Sequence, residues 1–180
     1  KAIAAGGRAI LDECTEGMGC EEWLTSRAVS EDVAERMMAG VKDMEERGLR
    51  SGEDIRGSQP TGDNIVGGLT TIEEKSMGAV KKGGSAPIID YLEIAQAPTS
   101  EEAGLYVMYG PGHGAESLSS MAAAGCQINV FSTGGGHTSS HPIMPTIKVT
   151  GNARSYELMQ DTVDVDISGL LRGEMSMEEA

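Results

Sequence analysis

The sequence is short of basic residues and of long apolar runs. Its 180 residues include 14 Lys and Arg against 28 Asp and Glu, which gives a formal net charge of −14. Nucleic acids and anionic membrane surfaces are bound through a basic face, so this balance excludes both as partners. No stretch of about 18 apolar residues occurs, so we predict no membrane-spanning helix. The first residues, KAIAAGGRAI, predict no signal peptide.

Cysteine and aromatic residues are also scarce. The three cysteines, Cys14, Cys20 and Cys126, are odd in number and lack C-x-x-C spacing, so a disulfide framework is not expected. Reduced thiols are typical of the cytoplasm, and we predict a cytoplasmic protein. Phe and Trp occur once each, whereas Met occurs 11 times. We therefore expect methionine to fill gaps in the core.

Short apolar runs alternate with helical patterns along the chain. Strands are predicted at residues 8–12, 87–95, 105–109, 127–131, 146–150 and 163–167. Helices are predicted at residues 20–27, 31–47, 69–83, 115–124 and 154–160. The second has an N-cap at Ser30 and a stop at Gly48, and the third has Thr70 and Glu73 at capping-box spacing. This alternation predicts an α/β fold with a mostly parallel sheet and flanking helices, of the Rossmann-like kind.

The chain is expected to contain two parts. Residues 1–84 are predicted to form a helical and α/β segment, and residues 85–180 a Rossmann-like α/β domain. Within the first part, residues 48–68 hold seven glycines or prolines in 21 positions. Such a composition predicts a long loop, which in a compact domain is usually functional or disordered. The abrupt opening inside an α/β pattern leads us to expect a piece of a longer polypeptide.

The stretch FSTGGGHTSSHP, residues 131–142, is the first candidate site. It lacks both the G-x-G-x-x-G spacing of a dinucleotide site and the lysine of a P-loop, so a nucleotide cradle is disfavoured. Its open N–H and hydroxyl groups suit a carboxylate or a polyol, although a plain surface turn has the same composition. His137 and His141 have H-x₃-H spacing, and His113 lies on another loop that follows a predicted strand. Three histidines suffice for a metal, but loop histidines are more often surface residues.

Acidic residues supply the second set of candidates. Glu13, Glu16, Glu21 and Glu22 follow the first predicted strand, where they could bind a hard metal, act as a base, or be solvated acids that cap a helix. Glu73 is explained by capping. Glu74 and Lys75 are not, and an acid beside a base next to a glycine-rich loop suits proton transfer as well as an exposed helix face.

Residues 62–84, GDNIVGGLTTIEEKSMGAVKKGG, resemble the G-N-x-x-GGLTT-[IL]-EEKSLG-x-x-x-KGG signature of the altronate and galactarate dehydratase family. That family also contains the sulfolactate sulfo-lyase large subunit. Residues 11–33 and 131–152 resemble two further segments of the family, so the resemblance covers nearly the whole chain. VDVDISGLL, residues 163–171, is more similar to the sulfo-lyase branch.

The resemblance implies a lyase. In such enzymes a base takes the proton α to a carboxylate, water or sulfite leaves from the β position, and the enol becomes a 2-keto acid. A divalent metal, iron(II) or else manganese or magnesium, would stabilise the developing enolate. The resemblance also implies an upstream Gly-Ser-Asp region and an N-terminal domain or small subunit, which this sequence lacks. We expect a homo-oligomer. The alternative is a non-catalytic substrate-binding part that needs its partner.

Individual residues carry roles by this resemblance. It implies metal ligands at Glu13, Glu16 and Glu21, catalytic residues at Glu73, Glu74 and Lys75, and substrate-binding residues at Asn64, Thr133, Gly134, Gly136, His137 and His141. The family's T-T-G-R-G arginine corresponds to Gly135 here. Because an arginine there would pair with a substrate carboxylate, its replacement leaves the substrate open, and with it the choice between water and sulfite. The two histidines also depart from the family pattern and are expected to tune substrate choice.

Overall fold

A computed structural model describes residues 1–12, 17–110 and 112–180. The strands within these ranges are β1 Arg8–Leu11, β2 Ile88–Leu92, β3 Gly104–Met108, β4 Asn129–Thr133, β5 Thr146–Thr150 and β6 Val165–Asp166. The helices are α1 Glu21–Thr25, α2 Glu31–Arg50, α3 Ile55–Ser58, α4 Gly62–Val66, α5 Ile72–Lys81, α6 Gly114–Ala123, α7 Ala153–Leu158 and α8 Ser168–Arg172. A single 3₁₀ turn, Ile3–Ala5, precedes β1.

The strands form two parallel sheets of three. One has the order β1-β3-β2 and the other the order β4-β5-β6. The chain divides into two compact units, residues 1–125 and 126–180, with one sheet in each. The predicted α/β fold with parallel strands and flanking helices is confirmed. The boundary predicted at residue 84 lies inside the first unit, where β1 pairs with β3 across it.

The sheet of the first unit is buried on both faces. Leu105 and Val107 of β3 belong to a cluster with the α2 side chains Met37 and Val41, whereas the alternating Tyr106 and Met108 belong to a second cluster. This alternation follows from the two-residue period of a strand. Every residue of β3 is buried, because parallel sheets have both faces covered by other elements. Methionine fills the core as expected, with Met18, Met37, Met44 and Met108 all buried.

Helix α2 begins as the sequence predicts but ends later. The Ser30 hydroxyl accepts a hydrogen bond from the Val33 N–H at 3.3 Å, and two acids occupy the first turn. The predicted end at Arg47 was wrong, because the helix continues through Gly48 to Arg50. Gly48 is buried against the Ile55 side chain, so it serves helix packing and does not stop the helix.

The predicted loop at residues 48–68 was also wrong in part, because it contains α3 and α4. The Asp54 carboxylate caps α3 by accepting from the Gly57 N–H at 3.2 Å. Thr61 and Asn64 form a capping box at the start of α4. Helices of four and five residues are too short to show apolar periodicity, so only their caps mark them in the sequence.

The six predicted strands all occur, and β5 has the predicted bounds. Helix α8 was not predicted. Cys20 is a free thiol, and Cys14 lies outside the described residues. In the described ranges no helix is both long and apolar enough to span a bilayer. The cytoplasmic location stays a prediction.

Candidate active site

The start of α5 carries the signature acids. Thr71 is the N-cap, and its hydroxyl accepts a hydrogen bond from the Glu74 N–H at 3.2 Å. The predicted capping pair Thr70 and Glu73 was therefore wrong by one residue. Glu73 and Glu74 both lie in the first turn, where the helix dipole stabilises negative charge. The pKa of Glu73 is lowered by its own backbone N–H and by the Thr71 hydroxyl.

The Glu74 carboxylate is held by the residue just before the helix cap. Its Oε2 accepts from the Thr70 N–H at 2.8 Å and from the Thr70 hydroxyl at 2.7 Å. These bonds, that of the hydroxyl first, lower the pKa of Glu74. No described residue donates to Oε1. Glu74 is thus an ionised, exposed and oriented carboxylate with one oxygen available.

The segment from Met18 to Cys20 packs on this helix start. Ser76 donates its hydroxyl to the Met18 carbonyl at 2.6 Å, and the Cys20 thiol donates to the Glu73 carbonyl at 3.3 Å. Gly19 lies so close that a Cβ there would be 2.8 Å from Glu73 Cγ. Burial raises the pKa of Cys20, and Glu21 and Glu73 raise it further. Cys20 is therefore a protonated, structural thiol that fixes this segment.

Arg56 joins three helices next to this segment. Its Nε and a terminal nitrogen donate to both oxygens of Glu45 at 2.6 and 3.1 Å, and the same terminal nitrogen donates to Glu21. Glu45 comes from α2, Glu21 from α1 and Arg56 from α3. Burial raises the pKa of Glu21, but the Arg56 hydrogen bond and two backbone N–H groups outweigh it, so the net pKa is lowered.

The predicted metal site is not assembled by the residues the structure describes. Glu13 and Glu16 lie outside them. Glu21 is described, but its carboxylate is committed to Arg56. Within the described ranges no group of three His, Cys, Asp or Glu side chains could hold a metal ion. That statement covers His113, His137 and His141, so a site made by these three histidines gains no support.

Two other predicted site residues of the first unit have local partners. Lys75 donates its ammonium to the Gln59 side-chain carbonyl at 2.7 Å. The Asn64 side-chain oxygen accepts from the Thr61 N–H at 3.3 Å and so caps α4. Lys75 shares α5 with Glu73 and Glu74, and its partner Gln59 lies in the glycine-rich stretch of residues 48–68.

The glycine loop lies in the second unit, directly after β4. Thr133 is the last residue of that strand. Gly136 has a φ of +75°, and a Cβ there would lie 2.0 Å from Met159 Cε. His137 stacks on Phe131 with 4.6 Å between ring centroids, and its Nδ1 accepts from the Ser139 N–H at 3.1 Å. In a neutral His137 the other nitrogen, Nε2, therefore carries the proton and is a donor.

Sequence reasoning missed one residue of this region, Lys148. It is only 8% exposed, and its ammonium donates to the Ser140 hydroxyl at 2.9 Å. The signal was present, since Lys148 is the one charged residue in the strand TIKVT. Its burial was not predicted, because a lysine in a short strand is usually exposed to solvent.

Comparisons with known proteins show which family the chain belongs to. Residues 1–180 match the family described as D-galactarate/altronate dehydratase, C-terminal, and the chain belongs to that family. It is 38% identical over 184 residues to the (2R)-sulfolactate sulfo-lyase subunit beta of Chromohalobacter salexigens, covering 100% of this chain and 46% of that one. It is 34% identical over 169 residues to altronate dehydratase of Bacillus subtilis, covering 94% and 33%. Galactarate dehydratase (L-threo-forming) of Escherichia coli is 28% identical over 179 residues. The chain thus spans less than half the length of the curated relatives it matches.

Proposed function

We propose that this chain is the part of a lyase that eliminates water or sulfite from a small 2-hydroxy acid and yields a 2-keto acid. The observation that carries the proposal is the exposed carboxylate of Glu74, oriented by two hydrogen bonds from Thr70. Family membership supports it, because relatives are named dehydratases and a sulfo-lyase subunit. The substrate and the leaving group belong to the proposal.

Glu74 is the proposed general base. A carboxylate can take an α-proton only when it is ionised, and the Thr70 bonds lower the pKa of Glu74, which favours the ionised form. They also fix its orientation, which leaves Oε1 to face the substrate. Once protonated, Glu74 can return the proton to a leaving hydroxide, whereas sulfite needs none. Lys75 is proposed to stabilise the enolate by its positive charge. Glu73 is proposed as a second acid-base group.

Asn64 is the proposed substrate-binding residue of the first unit. In the second unit the proposed substrate-binding residues are those of the glycine loop, Thr133, Gly134, Gly136, His137 and His141. Backbone N–H groups of glycines, a hydroxyl and a histidine donor suit the carboxylate and hydroxyls of a 2-hydroxy acid. A small anionic acid is therefore the proposed substrate, and a further domain or subunit of the enzyme the proposed partner, with homo-oligomerisation proposed as well.

We also propose a divalent metal, iron(II) or else manganese or magnesium. The described residues contain no group of side chains that could hold it. Glu13 and Glu16 are its proposed ligands. Glu21 fits poorly, because a metal would have to displace the Arg56 hydrogen bond. No step of the proton transfer is assigned to the metal. Dialysis against a chelator, followed by metal titration monitored by calorimetry, would show whether the protein binds a divalent ion.

The second candidate is a substrate-binding part that turns over only with the rest of its enzyme. It is favoured by the coverage of the relatives, which is 46% or less for those compared above. Activity of this chain alone, and of the same chain joined to the regions its relatives have in addition, separates the two candidates.

The test is a substrate panel of altronate, galactarate and sulfolactate with iron(II) or manganese(II). We expect 2-keto acid from at least one acid. Equal amounts of keto acid and sulfite would assign sulfite elimination, and keto acid without sulfite would assign dehydration. No keto acid from any of the three, in either form of the protein, would rule out the proposed lyase for these substrates.

A further inference from the structure

The sheet of the second unit buries three polar side chains, those of Asn129, Lys148 and Thr150. Strands β4 and β5 are parallel, with Phe131 paired to Lys148 and Thr133 to Thr150. Asn129 and Lys148 are each 8% exposed and Thr150 is 0% exposed, whereas Val130, which points to the opposite face of β4, is 62% exposed. Soluble sheets usually bury the apolar face and solvate the polar one. This inversion indicates a polar site on the buried face.

Lys148 is a buried cation with only a neutral partner. Its ammonium has three donors, and the Ser140 hydroxyl is the acceptor it has within the described residues. No carboxylate of the described residues forms a salt bridge with it. Burying an ammonium without a counter-charge is costly. The protein has 28 acidic residues, yet none of the described ones pairs with Lys148. We therefore expect a bound anionic ligand to supply the negative charge.

Three more buried polar atoms lie in the same unit as Lys148. Thr133 Oγ1, Asn129 Nδ2 and His141 Nδ1 are buried and have no hydrogen-bond partner among the described residues. Asn129 and Thr133 flank Phe131, the strand partner of Lys148, so their side chains share its face. His141 directly follows Ser140, the residue that Lys148 contacts. Buried polar groups are normally satisfied, so these are groups that a ligand would complete.

We propose that Lys148 binds a carboxylate of the substrate, with the Thr133 hydroxyl, on the same face of the sheet, as a further donor. The substrate class is an α-hydroxy carboxylate, whose hydroxyl can bond to His141. Lys148 supplies the positive charge, and Ser140 orients its ammonium. This inference rests on the proposed function, since it assigns a binding residue to the same substrate.

Calorimetric titration of the whole chain with altronate, galactarate and sulfolactate tests this, with galactitol as an uncharged comparison. Wild type, Lys148→Met and the control Lys81→Met, an exposed lysine of α5, are compared at constant ionic strength. We expect at least a tenfold weaker Kd for the best-binding acid in Lys148→Met and a change below twofold in Lys81→Met. Binding of no acid by wild type, or retention of Kd within twofold in Lys148→Met, overturns the proposal.

A folding defect is separated by a direct measurement on wild type. The ¹⁵N signal of the Lys148 ammonium, identified by its loss in Lys148→Arg, should shift on titration with the acid and stay in place with galactitol. A signal that does not move with the acid overturns the proposal even if Lys148→Met fails to fold. Failure of the proposed function gives a different result from failure of this binding proposal. In that case binding of the acid still depends on Lys148, but wild type forms no 2-keto acid.

Discussion

Glu74 accepts two hydrogen bonds from Thr70, one from the backbone N–H at 2.8 Å and one from the hydroxyl at 2.7 Å. Both end on the same carboxylate oxygen, so the other oxygen remains open. The pair places an ionised carboxylate at the start of α5 without using it as the helix cap, which is the task of Thr71. Thr70 therefore acts as a positioning residue for the proposed base.

Substitution of Thr70 by Val should shift the pH dependence of turnover. The Thr70 hydroxyl lowers the pKa of Glu74, so its loss raises that pKa. A base must be deprotonated to act, so the acid limb of the kcat profile should move to higher pH. The backbone N–H remains, which limits the shift. The profile is measured from 2-keto acid formation between pH 4 and 8.

Thr70→Ser is the matched control for that substitution. It keeps the hydroxyl, so its acid limb should coincide with that of wild type. A Thr70→Val profile that is lower at every pH but unshifted would assign Thr70 a purely structural role.

Arg56→Met should destabilise the first unit. It leaves the Glu21 and Glu45 carboxylates, which are 18% and 29% exposed, without their cation. Hydrogen bonds to charged groups contribute about 1.5–3 kcal/mol, and partial exposure reduces this to about 1–2 kcal/mol. Urea unfolding at pH 7 measures the loss. Arg47→Met, which removes an exposed pair with Asp43, should cost less than Arg56→Met.

The Arg56 effect should also depend on pH with a defined sign. The folded-state pKa of Glu21 lies below its ordinary value of 4.5. A carboxyl with a lowered pKa stabilises the fold above its unfolded pKa, and that stability is lost as the pH falls through the folded pKa. The difference between wild type and Arg56→Met should therefore be largest near neutral pH and shrink below about pH 4.5. A difference that is constant down to pH 3 would contradict the assigned network.

Gly136→Ala should damage the loop of the second unit, whereas Gly135→Ala should not. Gly136 has a positive φ, and its Cβ would overlap the Met159 methyl. A side chain there costs about 1–2 kcal/mol from backbone strain alone. Gly135 has open space around it. Thermal unfolding and substrate affinity are measured for both, and similar losses in the two variants would show that the loop geometry is not specific.

Much of the fold could be predicted because local signals decide it. Ser30 precedes two acids and a regular apolar stripe, and it caps α2 as expected. The strand TIKVT has the predicted bounds because β-branched residues enclose it. The helix end predicted at Gly48 was wrong, because this glycine lies inside the helix and packs against another side chain. Its partner Ile55 could not be foreseen without the tertiary contact.

The site could be predicted in part. The residues of the α5 start were identified, but their roles depended on a register of one residue. With the N-cap at Thr71 and not at Thr70, Glu74 is the third helical residue, and its carboxylate bonds to Thr70. The Arg56 pairing with Glu21 joins residues 35 positions apart, and no local pattern indicates it. Lys148 was missed because burial is a property of the whole unit.

Turnover of Glu74→Gln measures the central claim most directly. The substitution keeps the size of the side chain and removes the base, with Glu35→Gln as control for an exposed helical acid. We predict that kcat for 2-keto acid formation by the full enzyme falls about 10²–10⁴-fold in Glu74→Gln, with an unchanged circular dichroism spectrum, and stays at the wild-type value in Glu35→Gln. Turnover near the wild-type rate in Glu74→Gln would remove Glu74 from the catalytic residues and contradict the account.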